Sequence, residues 1–246
     1  MLSPMSKPLV IGHACAAGEA PANTLAGVRA CLDVGADAME IDVQLCADGV
    51  PVLMHDETVD RTTDLSGPVR SLSLASLHAA NAGDGEHVPT LDEVFALVAG
   101  RLTVMCELKA TPGEPEHDQL CVDAVLADIE GHNARTWTAI HSFNPEMVAR
   151  ARATQPRVSA AIISSNVTGD AVERLLGALL KRNGQAVSIQ HNCIARDLIV
   201  TAKRRQITVW TWTPDTEADW ARVTEAGVDG IITNFPHKLR AWLESR

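Results

Sequence analysis

The twenty residues from Thr24 to Val43 read TLAGVRACLDVGADAMEIDV, and their periodicity changes halfway. Leu25, Val28 and Leu32 recur every three to four residues, which places them on one face of a helix. Gly35 follows that run, at a position where a left-handed residue commonly ends a helix. From Ala38 the spacing becomes two: Met39, Ile41 and Val43 alternate with Glu40 and Asp42. The stretch therefore reads as a helix over Thr24–Val34, a turn, and a strand over Ala38–Val43. A chain that repeats this unit builds a parallel α/β fold.

The unit does repeat. Further strand runs lie at Pro8–His13, Pro51–His55, Leu102–Leu108, Thr136–His141, Val158–Ser164, Ala186–Gln190, Ile207–Thr213 and Gly230–Thr233. Helical patterns separate them. Thr90-Leu91-Asp92-Glu93 forms a capping box for a helix running to about Val98. Thr168–Arg182 is followed by Asn183-Gly184, and Asp215–Ala226 by Gly227. The chain has 246 residues, the size of one (β/α)8 barrel. Nine strand runs for eight places predict that one is peripheral. Only Gln44 to Val50 joins the second run to the third, with Asp48-Gly49 as a turn, so no crossover helix fits there. Asp56 to Val88 is polar and long for a connection; it reads as an insertion over the barrel mouth, partly helical near Leu74–Ala80.

Composition narrows the function. Lys and Arg total 21 against 31 Asp and Glu, a formal charge of −10, which disfavours nucleic acid and anionic membranes as partners. The apolar content of 46% excludes disorder, and no apolar run approaches a membrane span. None of the six cysteines forms a C-x-x-C pair, so free thiols in a reducing, cytoplasmic compartment are expected. Met1 to Ala17 reads as the approach to a first core strand rather than a secretion signal.

The chemistry is concentrated at strand ends. Glu40 and Asp42 share one strand face, and Glu107 and Lys109 share another. His13 and His55 each close an apolar run. Carboxylates facing a barrel interior are costly unless they meet cations, and three of them make an oxygen-rich site suited to Mg²⁺ or Ca²⁺. In a closed barrel all six residues converge on the carboxyl-end face, where barrel enzymes place their active sites.

The ordered set resembles the glycerophosphodiester phosphodiesterase family, in its short bacterial cytoplasmic form. The resemblance rests on His13, Pro21-Ala22-Asn23-Thr24, Gly35 to Val43, Asp48-Gly49, His55-Asp56, Arg61-Thr62-Thr63, Glu107-Leu108-Lys109, Trp210-Thr211 and Gly227 to Asn234. It implies a distorted TIM (β/α)8 barrel, in a single domain over residues 1–246, with a small insertion after the third strand. It further implies hydrolysis of glycerophosphodiesters to glycerol 3-phosphate and an alcohol. By resemblance, Glu40, Asp42 and Glu107 hold a divalent cation, Mg²⁺ or Ca²⁺; His13 and His55 are the acid and base; and Lys109 contacts the phosphate. Water or the neighbouring glycerol hydroxyl is the nucleophile. Phe143 and Trp210 are candidates for packing on the substrate's carbon skeleton.

Five positions depart from the family pattern. His13-Ala14-Cys15 stands where the family has His-Arg-Gly, and Ala22 where it has Glu. Thr213 and Asn234 stand where relatives usually have Asn and Asp. If the absent arginine and glutamate pair in relatives, losing both leaves no lone buried charge, and Ala14 and Ala22 must be neighbours. The departures raise a second reading, a phosphate-ligand binder without efficient turnover. Retention of both histidines and all three carboxylates favours the enzyme.

Overall fold

The computed structural model describes residues 7–165 and 167–246. Eight parallel strands close into a barrel: β1 (Leu9–Gly12), β2 (Ala38–Leu45), β4 (Thr103–Leu108), β5 (Thr138–Ser142), β6 (Ser159–Ser164), β7 (Ala186–Gln190), β8 (Thr208–Trp212) and β9 (Gly230–Thr233). Pairing of β1 with both β2 and β9 completes the ring. The peripheral strand is β3 (Pro51–Leu53), which runs antiparallel to β2 through Val43↔Leu53 and Leu45↔Pro51. The short Gln44–Val50 connection permits only that hairpin.

The quoted unit folds as read. Helix α1 (Leu25–Asp33) is capped by the Thr24 side chain, which accepts from the Gly27 amide, and Gly35 follows at φ 63°. Helix α3 (Leu91–Val98) begins with the reciprocal Thr90–Glu93 capping box. The insertion contains the short helix α2 (Leu74–Ala79) and a small apolar cluster of its own, in which Val59, Val69, Leu77 and Val88 pack against Val52 and Met54. Helices α6 (Asp170–Lys181) and α8 (Glu217–Ala226) fall where their end signals lie. Four more, α4 (Pro115–Gly131), α5 (Pro145–Thr154), α7 (Arg196–Arg204) and α9 (Pro236–Glu244), complete the outer ring.

Two apolar layers sit between strands and helices, one under α1, α3 and α4, the other under α6 to α9. A third lies inside the barrel, where Ile11, Ala38, Met105, Ala139 and Ile232 pack with Trp210 and Trp212. The strands are thus buried on both faces, and the charged residues stand on top of an apolar plug. Among the described residues, no helix is long and apolar enough to cross a membrane.

Candidate active site

Strand register assembles the site. Asp42 on β2 is level with Glu107 on β4, and Glu107 with His141 on β5. An eight-stranded barrel with a shear of eight shifts by about one residue per strand, so His141 falls in the layer of Glu40, two strands away. Accordingly, Glu40 Oε1 lies 3.7 Å from His141 Nε2. Glu40, Glu107 and His141 each offer a ligand atom, all within 4.8 Å of one another. Asp42 is placed differently. Its Oδ2 accepts from Asn23 Nδ2 at 2.7 Å, and its Oδ1 lies 2.7 Å from Lys109 Nζ. Lys109 also donates to Glu107 Oε1 at 2.5 Å, so one ammonium bridges two carboxylates.

His13 follows β1 in a tight left-handed turn, with Ala14 at φ 43° and Cys15 at φ 68°. Gly12 is required there, because a Cβ would lie 1.9 Å from the Cys15 carbonyl oxygen. The turn aims the Ala14 amide at Glu40 Oε2, 2.9 Å away. His13 Nδ1 meets Asn234 Oδ1 at 2.7 Å, and Asn234 Nδ2 donates to Asp215 Oδ2 at 2.6 Å. Because the Asp215 carboxylate only accepts, it fixes the amide orientation; the Asn234 oxygen then requires a proton on His13 Nδ1. Nε2 is left as the site of proton exchange.

His55 lies just beyond β3, half-exposed, with Nδ1 2.7 Å from Asp56 Oδ1. Arg61 grips the same carboxylate through Nε at 2.5 Å and Nη2 at 3.0 Å. Both histidines line two adjoining cavities, of about 350 Å³ and about 600 Å³. The smaller contains Glu40, Glu107, Lys109 and His141 on one side, with Ile163, Ser188, Trp212 and Ile232 on the other. Phe143 stands at this cavity, edge-on to Trp212 with ring centroids 5.9 Å apart. Trp210 does not line it. Its ring packs in the barrel interior, and Trp212, two residues nearer the carboxyl end on the same inward face, takes the wall position expected of it.

A family model described as the glycerophosphoryl diester phosphodiesterase family matches residues 13–238. The chain belongs to that family. It is 32% identical over 245 residues to a glycerophosphodiester phosphodiesterase of Caldanaerobacter subterraneus, covering 95% of this chain and 96% of the relative. Among solved structures it resembles a phosphodiesterase of Oleispira antarctica in complex with the product sn-glycerol-3-phosphate. That match has a TM-score of 0.87 and 26% identity over 96% of this chain and 97% of the other. A glycerophosphodiester phosphodiesterase of Agrobacterium tumefaciens matches with a TM-score of 0.79 and 27% identity, over 95% and 99% of the two chains. This chain is accordingly a phosphoric diester hydrolase on a TIM barrel.

In this family member Ala14 and Ala22 line the same cavity, and the Asn23 amide donates to the Ala14 carbonyl at 2.9 Å. The two positions that depart together are therefore neighbours. Asn234 serves as the hydrogen-bond partner of His13, and Thr213 lines the smaller cavity.

Electrostatics separates the charged groups. Burial pushes Glu40 up, but the facing His141, His13 and Lys109 outweigh it and hold the carboxyl near 2. Burial raises Glu107, and the carboxylates of Glu40 and Asp42 add to that rise, against Lys109. Lys109 would lose its proton more easily through burial, yet Asp42 and Glu107 raise it. Burial likewise works to lower His13, but Glu40, the Asn234 hydrogen bond, Asp42 and Asp215 leave it raised. All six cysteines are free, and burial pushes the Cys15 thiol well up, which makes it a poor nucleophile despite its place beside His13.

His141, Asp215, Ser188 and Trp212 were not among the residues singled out from sequence. His141 carries the same signal as His13 and His55, a histidine closing an apolar strand run. Asp215 carries none, because its role depends on a contact with Asn234 across the fold.

Proposed function

We propose that this enzyme hydrolyses glycerophosphodiesters to glycerol 3-phosphate and an alcohol, using a divalent cation and paired histidines. The observation that carries this is the convergence of Glu40, Glu107 and His141 with His13 and His55 on one cavity. The product complex of the Oleispira relative supports glycerol phosphate as the retained group.

The residues present fit a cation. Glu40 Oε1 is buried without a hydrogen-bond partner, beside Asp42 and Glu107, which share the single ammonium of Lys109. Glu40 and Glu107 would hold the ion, with Asp42 Oδ1 joining once Lys109 turns to the phosphate. An oxygen set of this kind suits Mg²⁺ or Ca²⁺. When bound, such an ion neutralises charge that builds on the phosphoryl oxygens.

The chain's own groups supply the rest. Lys109 orients the diester through a phosphate oxygen. His13, raised and held with Nδ1 on Asn234, presents a proton from Nε2 to the leaving alkoxide. His55, oriented by Asp56 and open to solvent, takes the proton of the nucleophile. Phe143 and Trp212 form an apolar wall for the carbon skeleton. The six free cysteines fit a cytoplasmic setting.

The test is glycerol 3-phosphate release from glycerophosphocholine and glycerophosphoethanolamine, with Mg²⁺, Mn²⁺ or Ca²⁺ and with chelator. Release that needs a cation and fails in His13→Ala is expected. Tight binding of the diester with no release under any cation would replace the enzyme with a ligand binder.

A further inference from the structure

Three carboxylates predict a cation held by oxygen alone, yet the third member of the ligand-competent group is an imidazole. His141 is 2% exposed, and neither ring nitrogen has a hydrogen-bond partner. Buried polar groups are rarely left in that state. At 3.7 Å, His141 Nε2 is too far from Glu40 Oε1 for a hydrogen bond, and that oxygen is itself unpartnered. Two ligands of one cation at metal distances of about 2.0–2.2 Å stand about 3–3.5 Å apart, so a few tenths of an ångström separate this pair from shared coordination. Asp42, by contrast, already has Asn23 on one oxygen and Lys109 on the other.

We propose that His141 is a ligand of the cation through Nε2, beside Glu40 and Glu107, and that this nitrogen shifts the site's preference from Mg²⁺ and Ca²⁺ toward Mn²⁺, Co²⁺ or Zn²⁺. The proposal rests on the cation-dependent reading above. Its chemistry is general: imidazole binds Co²⁺ and Zn²⁺ well and Mn²⁺ more weakly, whereas Mg²⁺ and Ca²⁺ favour oxygen. The position on β5 is suited to the role, because register fixes it beside Glu107 and barrel shear brings it level with Glu40. Carboxylates from β2 and β4 and an imidazole from β5 thus surround one point from three consecutive strands of the ring.

The experiment is pulsed electron paramagnetic resonance on protein loaded with Mn²⁺. A His78→Ala/His87→Ala background is used, because His78, His87 and Glu93 form the other ligand-competent group among the described residues. Directly coordinated nitrogen is expected in the echo modulation, changing when histidine is labelled with ¹⁵N and vanishing in His141→Gln while one Mn²⁺ still binds. Calorimetry should show Mn²⁺ weakened in His141→Gln by at least the 10–100-fold that loss of an outer-shell partner costs, about that or more, and Ca²⁺ by less than about threefold. The unsubstituted residue is tested directly by the first measurement, so a poorly folded variant does not shield the proposal. Nitrogen absent in the parent, or persisting in His141→Gln, overturns the role of His141; if glycerol 3-phosphate release stays cation-dependent, the proposed function stands. Equal weakening of Mn²⁺ and Ca²⁺ overturns the selectivity. Failure of the parent to bind Mn²⁺, with release untouched by chelator, overturns this proposal and the cation in the proposed function together.

Discussion

The two walls of the smaller cavity differ in kind. The ends of β1, β2, β4 and β5 contribute His13, Glu40, Glu107, Lys109 and His141; β6 to β9 contribute Ile163, Ser188, Trp212 and Ile232. The same barrel thus presents a charged half and a neutral half to one substrate. A phosphate needs the first, because only fixed charges and a cation can offset its developing charge in a site partly closed to water. The second can recognise only shape and apolar area. Variants of the charged half should therefore act on turnover, and variants of the neutral half on substrate affinity.

The sharpest contrast is His13→Ala against Ile163→Ala. Loss of the acid proposed at His13 should lower kcat by about 10³-fold, within the range of about 10²–10⁴ for general acid–base catalysis. Ile163→Ala should leave kcat within about threefold, since it removes only dispersion contacts. Steady-state kinetics on one diester checks both, and comparable losses in kcat would end the division of labour between the walls.

Ala14→Arg comes next, and it strengthens the charged half instead of weakening it. Ala14 and Ala22 line the cavity together, so an arginine there reaches the space next to His13. A charge-assisted hydrogen bond to phosphate is worth about 1.5–3 kcal/mol, a gain of about 10- to 150-fold in kcat/KM. Pairing it with Ala22→Glu should return part of that gain, because the carboxylate competes for the guanidinium. An unchanged kcat/KM would mean that the contacts proposed for Lys109 and a cation already saturate the phosphate.

On the neutral wall, Trp212→Ala should raise KM by about tenfold at nearly constant kcat, from roughly 1.5 kcal/mol of lost apolar burial. Phe143, which follows β5 but packs edge-on to Trp212, should on replacement by alanine raise it by about threefold, because that residue is already 49% exposed. A fall in kcat without a change in KM would place the aromatic pair in the transition state and not in ground-state binding.

The division was only partly legible in the sequence. Period-two alternation exposed Glu40 with Asp42 and Glu107 with Lys109, since neighbours two apart share a face whatever the tertiary structure. The helix ends at Gly35 and Gly227 and the Thr90–Glu93 capping box were equally readable, because capping is local. Grouping by wall was not. Glu40 meets His141 through barrel shear, and His13 is oriented by Asn234 and Asp215 from the far end of the chain. Trp210 and Trp212 share a face, and only the height of the apolar plug decides that the second one lines the cavity. Contacts between strands distant in sequence leave no spacing to read.

The smallest effect sharpens what makes the charged wall tolerable. Asp128, near the carboxyl end of α4, is a partly buried carboxylate that lines neither cavity of the site. Burial raises it to about 6, with Asp92 adding to the rise and His132 opposing it. The C-terminal end of a helix dipole disfavours negative charge there as well. Glu40 is more deeply buried yet held near 2, because His141, His13 and Lys109 face it. The folded state binds the Asp128 proton more tightly than the unfolded chain does, where 3.8 is the ordinary value. Stability from this group is therefore unaffected below about 3.8, falls as pH rises to about 6, and stays reduced above it. Asp128→Asn should remove that loss. The rise from 3.8 to about 6 corresponds to about 3 kcal/mol at most, and partial exposure discounts this to about 1 kcal/mol of stabilisation at pH 7.5, with little at pH 4. Urea unfolding of both proteins at the two pH values measures it. Equal midpoint shifts at pH 4 and 7.5 would mean that Asp128 is already solvated, and that burial without a facing cation is not what raises it.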